Sequence, residues 1–180
     1  TETSITVQPH PRLRPVEFQI PCDPSAAAFW MGASLLSRQT CTLENVSLNP
    51  SRLGFLKVFE DLGIPMVITQ TASHPEPVGH ISIEPKDFKG FEISQEMLPS
   101  LIDEVPLLCL LATQGSTESV IYGAGELRFK ETDRIVATSR MFHSLGLKLN
   151  IEGDTLFIPG NQKIQGGIVN SYKDHRIAMT

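Results

Sequence analysis

One layout occurs three times along this chain, and it limits the fold more than any other feature. A strand, a turn, a second strand and an acidic residue opening an apolar run are read at Ile5–Val7, Val16–Ile20 and Asp23. The same order recurs at Ile81–Ile83, Phe91–Ile93 and Asp103, and again at Leu156–Ile158, Ile168–Val169 and Asp174. Between the acidic residues lies a second repeated piece. Val58-Phe59-Glu60-Asp61-Leu62-Gly63-Ile64 returns as Met141-Phe142-His143-Ser144-Leu145-Gly146-Leu147. Each copy reads as a helix closed by a C-terminal glycine and followed by a strand. The unit is therefore ββαβαβ, complete at about 1–78 and about 79–153, with a third copy at about 154–180 that stops inside its first helix. Repeats of this length are supersecondary units that bury their faces against one another.

The two helices of a unit differ in kind. The first, after Asp23, reads Ala26-Ala27-Ala28-Phe29-Trp30-Met31, and its counterpart after Asp103 reads Val105-Pro106-Leu107-Leu108-Cys109-Leu110-Leu111. A helix apolar all round is a buried one. The second helix is amphipathic: Phe55, Phe59 and Leu62 form a stripe, with Lys57, Glu60 and Asp61 off it. The pattern predicts helices near 25–37 and 104–114 inside, and helices near 51–63 and 133–145 outside, a mixed α/β or α+β architecture walled by strands.

Parallel buried helices collect their N-termini at one end, where unpaired N–H groups and partial positive charge favour an anion. Asp103, Glu104, Asp174, His175 and Arg176 fall at those termini; Asp23 alone reads as an N-cap. The stretch Gly125–Arg134 packs many ionisable groups between the strand Ser119–Tyr122 and a helix, with Thr132 or Asp133 as its cap. Taken locally, such a block is either a solvated loop or a site at the mouth of a scaffold. The net charge of −5 gives no basic footprint for nucleic acid. No apolar run reaches the roughly 18 residues of a membrane span, and no signal peptide is expected. Cys22, Cys41 and Cys109 lack metal-ligand spacing and are expected as buried thiols in a reducing compartment. A chain without an initial Met that stops early in an apolar helix is expected to be a piece of a longer protein.

Four segments, in order, carry a resemblance. Glu126-Leu127-Arg128-Phe129-Lys130-Glu131-Thr132-Asp133-Arg134-Ile135 and Asp174-His175-Arg176-Ile177-Ala178-Met179 resemble the two signatures of the 5-enolpyruvylshikimate-3-phosphate synthase family. Ile20–Phe29 and Asn49-Pro50-Ser51-Arg52-Leu53-Gly54 are similar to two further family segments, although Cys22 stands where most members have glycine. The resemblance spans nearly the whole chain. It implies an inside-out α/β barrel, buried parallel helices surrounded by mixed sheets, and the C-terminal portion of a two-domain enzyme whose N-terminal domain is absent here.

The resemblance also implies chemistry: transfer of the enolpyruvyl group of phosphoenolpyruvate to the hydroxyl of shikimate 3-phosphate, with release of phosphate. Asp103 is implied as the base on the attacking hydroxyl and Glu131 as the group moving a proton at the methylene carbon. His175 is implied beside the reacting centre. Lys130 is implied at shikimate phosphate, and Arg134 and Arg176 at the phosphoenolpyruvate carboxylate and phosphate. The residue types suit such work, since two carboxylates in different environments divide acid from base, and guanidinium forks match carboxylate and phosphate. No metal or organic cofactor is called for. A cytoplasmic enzyme, monomeric when full length, is expected, with no nucleic-acid or membrane partner. The rival readings are the related UDP-N-acetylglucosamine enolpyruvyl transferase and a non-catalytic fragment that keeps the fold.

Overall fold

Helix, strand, helix, strand follow one another twice in the structure, a computed structural model that describes residues 4, 6, 7, 9, 12, 14, 15 and 17–180. The first run is α1 (Pro24–Ser37), β1 (Cys41–Ser47), α2 (Gly54–Asp61) and β2 (Met66–Ala72). Strands β3 (Val78–Ile83) and β4 (Glu92–Ile93) lead into the second run: α3 (Val105–Ala112), β5 (Ser119–Ile121), α4 (Arg134–Ser144) and β6 (Asn150–Glu152). Strand β7 (Thr155–Ile158) and the short α5 (His175–Met179) close the described chain. Gly63 and Gly146 follow the two outer helices at φ of 67° and 70°, a left-handed turn that glycine enters without a Cβ penalty.

Two sheets form the walls. One has the order β1-β3-β2, antiparallel throughout; the other has the order β4-β5-β7-β6, with β4 parallel to β5. Alternation in β3 turns Gly79, Ile81 and Ile83 inward. Of the strands expected before Asp23, Ile5 and Val16 lie outside the described residues. Thr6, Val7 and Glu17–Ile20 carry no strand, and the segment reaches the first sheet through a single parallel bridge from Cys22 to Val46.

The expected strand at Ile168–Val169 is not formed, and Ile168 is 95% exposed. The chain there is committed to the end of α4 instead. Gln165 N–H donates to the Leu145 carbonyl at 2.9 Å, and a Cβ on Gly167 would lie 2.3 Å from the Ser144 carbonyl oxygen.

Burial follows the two-helix rule in α3, all of whose residues are buried. It departs from the rule in α1. Ala27, Ala28, Met31 and Leu35 face the core, and Gly32 lets α1 meet Leu107 of α3, but Trp30 is 66% exposed and Leu36 is exposed too. Among the described residues no element covers that face of α1. The outer helix α2 buries Phe55 and Phe59, which meet edge to face at 6.1 Å, while Lys57 faces solvent with Glu60 and Asp61. The cysteines also depart from expectation. Cys109 is buried in α3, where burial pushes its thiol up to about 12, but Cys22 is exposed and Cys41 half-buried; all three are free.

Candidate functional site

Three aspartates sit at the starts of the inner helices. Asp23 caps α1, accepting the Ala26 N–H at 3.0 Å, and Asp174 caps α5, accepting the Arg176 N–H at 2.8 Å. Asp103 lies in the 3-10 turn Ile102–Glu104 that runs into α3. Pro24 and Pro106 occupy first-turn positions, where a missing N–H removes no helical bond. The N-termini do converge, because Arg176 Nη2 lies 3.8 Å from both Asp23 Oδ2 and Asp103 Oδ2.

The charged stretch is folded against the same end. A 3-10 helix, Ala124–Phe129, follows β5, and Asp133 caps α4 by accepting the Val136 N–H at 3.0 Å. Of the two caps read from the sequence, Asp133 is the one used. Arg128 anchors the loop from behind, donating to the Gly153 carbonyl at 3.1 Å and to Asp133 at 3.4 Å, with Asp154 at 3.5 Å. This leaves Lys130 and Glu131 in front.

Arg134, the first residue of α4, is the hub. It is 1% exposed, and each guanidinium nitrogen meets a carboxylate from a different part of the chain. Nε donates to Asp174 Oδ2 at 2.8 Å, Nη1 to Asp103 Oδ1 at 2.9 Å and Nη2 to Glu131 Oε2 at 2.7 Å. Lys130 Nζ is 4.0 Å from Asp103, and His175 Nδ1 is 3.9 Å from Glu131. All six site residues named from the sequence thus stand at one end of the molecule. Asp23, read only as a cap, belongs to the cluster as well; its place in the repeat, matching Asp103 and Asp174, was the available signal.

The pairing sets the protonation states. Burial alone would raise Asp103, but the Arg134 hydrogen bond and the charges of Arg176, Arg134 and Lys130 hold it below its ordinary 3.8. Asp174 is likewise held below 3.8, where the Arg134 bond and the Arg176 and Ile177 N–H groups outweigh burial. Burial would lower Arg134, yet Asp174 and Asp103 keep it raised and charged. Two carboxyls with depressed folded values stabilise the fold above the unfolded pKa, and that stability is lost as pH falls through the folded values. Urea midpoints should therefore fall in acid below about 3.8, and Asp174→Asn should flatten that fall. An identical acid profile in the variant would show that the pairing contributes nothing.

The arrangement gathers the cations Lys130, Arg134 and Arg176 beside two partly open carboxylates, Asp103 and Glu131, groups of the kind that can bind an anion and move a proton. The EPSP synthase (3-phosphoshikimate 1-carboxyvinyltransferase) family model matches residues 1–180. The chain belongs to the EPSP synthase family. Among EPSP synthase relatives, the 3-phosphoshikimate 1-carboxyvinyltransferase of Sulfurihydrogenibium sp. is 42% identical over 177 residues, covering 97% of this chain and 41% of that protein. That of Persephonella marina is 41% identical over 181 residues, covering 99% of this chain and 42% of the relative. The chain thus spans about two fifths of the length of the curated relatives it matches. The EPSP synthase structure from Acinetobacter baumannii superposes with a TM-score of 0.84 at 32% identity, over 89% of this chain and 38% of that one. The inside-out α/β architecture expected from the sequence is therefore the fold of this chain. The enolpyruvyl transferase NikO from Streptomyces tendae, 13% identical with a TM-score of 0.55 over 76% of this chain and 30% of its own, shares the fold.

Proposed function

We propose that this chain is part of a cytoplasmic 3-phosphoshikimate 1-carboxyvinyltransferase, the C-terminal portion of an enzyme whose other domain lies outside these residues. The parent moves the enolpyruvyl group of phosphoenolpyruvate to shikimate 3-phosphate and releases phosphate. The single observation that carries the reading is Arg134, which draws Asp103 and Glu131 onto one guanidinium beside Lys130, Arg176 and His175. The names of the relatives support it, and the three free thiols fit a reducing compartment.

The reaction follows from the roles. Asp103 takes the proton of the shikimate hydroxyl as its oxygen bonds to C2 of phosphoenolpyruvate, and Glu131 gives a proton to the methylene carbon, making a methyl group. In the second half a methyl proton leaves to Glu131, the double bond reforms and phosphate departs. Arg176 and Lys130 hold the phosphate and carboxylate groups, and His175 stands beside Glu131 at the open face. Arg134 takes up the phosphoenolpyruvate anion by exchange: the ligand displaces Glu131, its most exposed partner, from Nη2. That displacement frees the Glu131 carboxylate to take up a proton from water and pass it to the methylene carbon.

Holding both substrates in one geometry without water requires more of the enzyme than this chain contains. Each charge-assisted contact supplied from outside these residues is worth about 1.5–3 kcal/mol. Residues 1–180 alone should therefore show no measurable phosphate release from the two substrates, and weak anion binding at most. Robust turnover by the isolated chain would refute this division of labour. In the full-length enzyme, calorimetry should detect shikimate 3-phosphate and not UDP-N-acetylglucosamine; the reverse preference would replace the reading with the amino-sugar transferase.

A further inference from the structure

The segment Asn49–Gly54 has no part in the proton and anion chemistry above, yet its side chains run to the same end of the molecule. Asn49 Oδ1 accepts from the Ser51 N–H at 3.1 Å and from the Ser51 hydroxyl at 2.8 Å, closing the turn Pro50–Arg52. Arg52 Nη2 then donates to Ser25 Oγ at 2.8 Å and lies 3.9 Å from Asp23 Oδ1. Ser25 is fully buried in the first turn of α1. The Glu104 carboxyl, next to Asp103 in the chain, is buried at the same place, and its Oε1 has no hydrogen-bond partner among the described residues. Burial pushes that carboxyl up, against the opposing influence of Ser25, Arg176 and Arg52.

Two further facts point the same way. Arg176 Nη2 stands 3.8 Å from each of Asp23 and Asp103, too far for strong hydrogen bonds, and Arg176 Nε is buried without a partner. Directional bonds to these carboxylates therefore do not fix the Arg176 guanidinium; the gap between Asp23 and Asp103 does. That gap depends on how the start of α1 is set against the start of α3. A Cβ on Gly54 would lie 2.1 Å from Ser100 Oγ and 3.1 Å from its carbonyl carbon. Glycine there lets the segment seat against the turn Leu98–Ser100, three residues ahead of Asp103.

We propose that Arg52 is a positioning residue: by bonding Ser25 beside Asp23 and against Glu104, it sets the gap between Asp23 and Asp103 that holds Arg176 for the phosphoenolpyruvate anion. Arg52 need not touch substrate in this role. The inference rests on the transferase reading only for the identity of the anion.

The test uses the full-length enzyme. Arg52→Ala should raise KM for phosphoenolpyruvate about tenfold, the size of one lost hydrogen bond to a charged group, with kcat and KM for shikimate 3-phosphate little changed. Ser25→Ala should give the same split, and the double variant should be no worse than the worse single one, because both break one path. Arg52→Lys should recover part of the loss. Additive effects, a uniform loss in all kinetic constants, or an unchanged KM for phosphoenolpyruvate would overturn the proposal. Should the wild-type enzyme lack turnover, the transferase reading fails by itself. Calorimetric binding of inorganic phosphate still decides this inference: weaker binding by Arg52→Ala than by wild type supports it, and equal binding refutes it.

Discussion

Arg134→Met should destabilise the folded protein by about 3–5 kcal/mol, the cost of breaking a buried ion pair from one side. The side chain keeps its bulk and loses its charge, so the change reads the electrostatics and not a cavity. Its three partners do not suffer equally. Glu131 and Asp103 are partly open and regain water when the guanidinium is gone. The Asp174 side chain is fully buried, and without Arg134 its carboxylate keeps only the N–H groups at the start of α5. Most of the loss therefore comes from Asp174, and Asp174→Asn in the same background should return part of it. Arg134→Lys should fail to rescue, because one ammonium cannot present three donors along the directions that Asp103, Glu131 and Asp174 require. Urea unfolding at neutral pH measures each variant; a loss below about 1 kcal/mol, the level of an ordinary surface pair, would remove Arg134 from the centre of the account.

Glu131→Gln and Asp103→Asn in the full-length enzyme should each lower kcat by about 10²–10⁴-fold, the usual contribution of a positioned acid or base. Each should change KM far less, since the amide keeps the shape and loses the proton-transfer role. The two differ in stability. Glu131 is half exposed, and its pairing with Arg134 is the one that the proposed mechanism breaks, so Glu131→Gln should leave the urea midpoint nearly unchanged. Asp103 also balances Arg176 and Lys130, so Asp103→Asn should additionally weaken the fold. Near-normal kcat in both variants would overturn the assigned roles.

The parts of this protein legible in its sequence are those set by local pattern. The continuous apolar run after Asp103 gives a fully buried α3, and the stripe of Phe55 and Phe59 gives an outer helix. Gly63 and Gly146 mark two helix ends by their left-handed turns. The place of the site was visible because each inner helix opens on an aspartate and repeat symmetry carries those openings to one end; the site residues themselves were read from the resemblance of Glu126–Ile135 and Asp174–Met179 to the family signatures. What tertiary context decides was not visible. An arginine inside a charged stretch reads as solvated, and nothing local tells that Arg134 is buried under carboxylates from three segments. Ile168–Val169 looks like a strand until Gly167 is seen packed on the end of α4. The apolar face of α1 around Trp30 reads as core, although no described element covers it.

Heavy water offers the most direct test of the proton chemistry. The full-length enzyme is run in it with both substrates, and the enolpyruvyl product is weighed by mass spectrometry. Adding a proton to the methylene carbon and removing one from the resulting methyl group requires deuterium in the vinyl group of the product. The account predicts product carrying that label from wild-type enzyme, and almost no product from Glu131→Gln. Unlabelled product from the wild type, or labelled product formed at an ordinary rate by Glu131→Gln, would contradict the claim that Glu131 moves the proton at this centre.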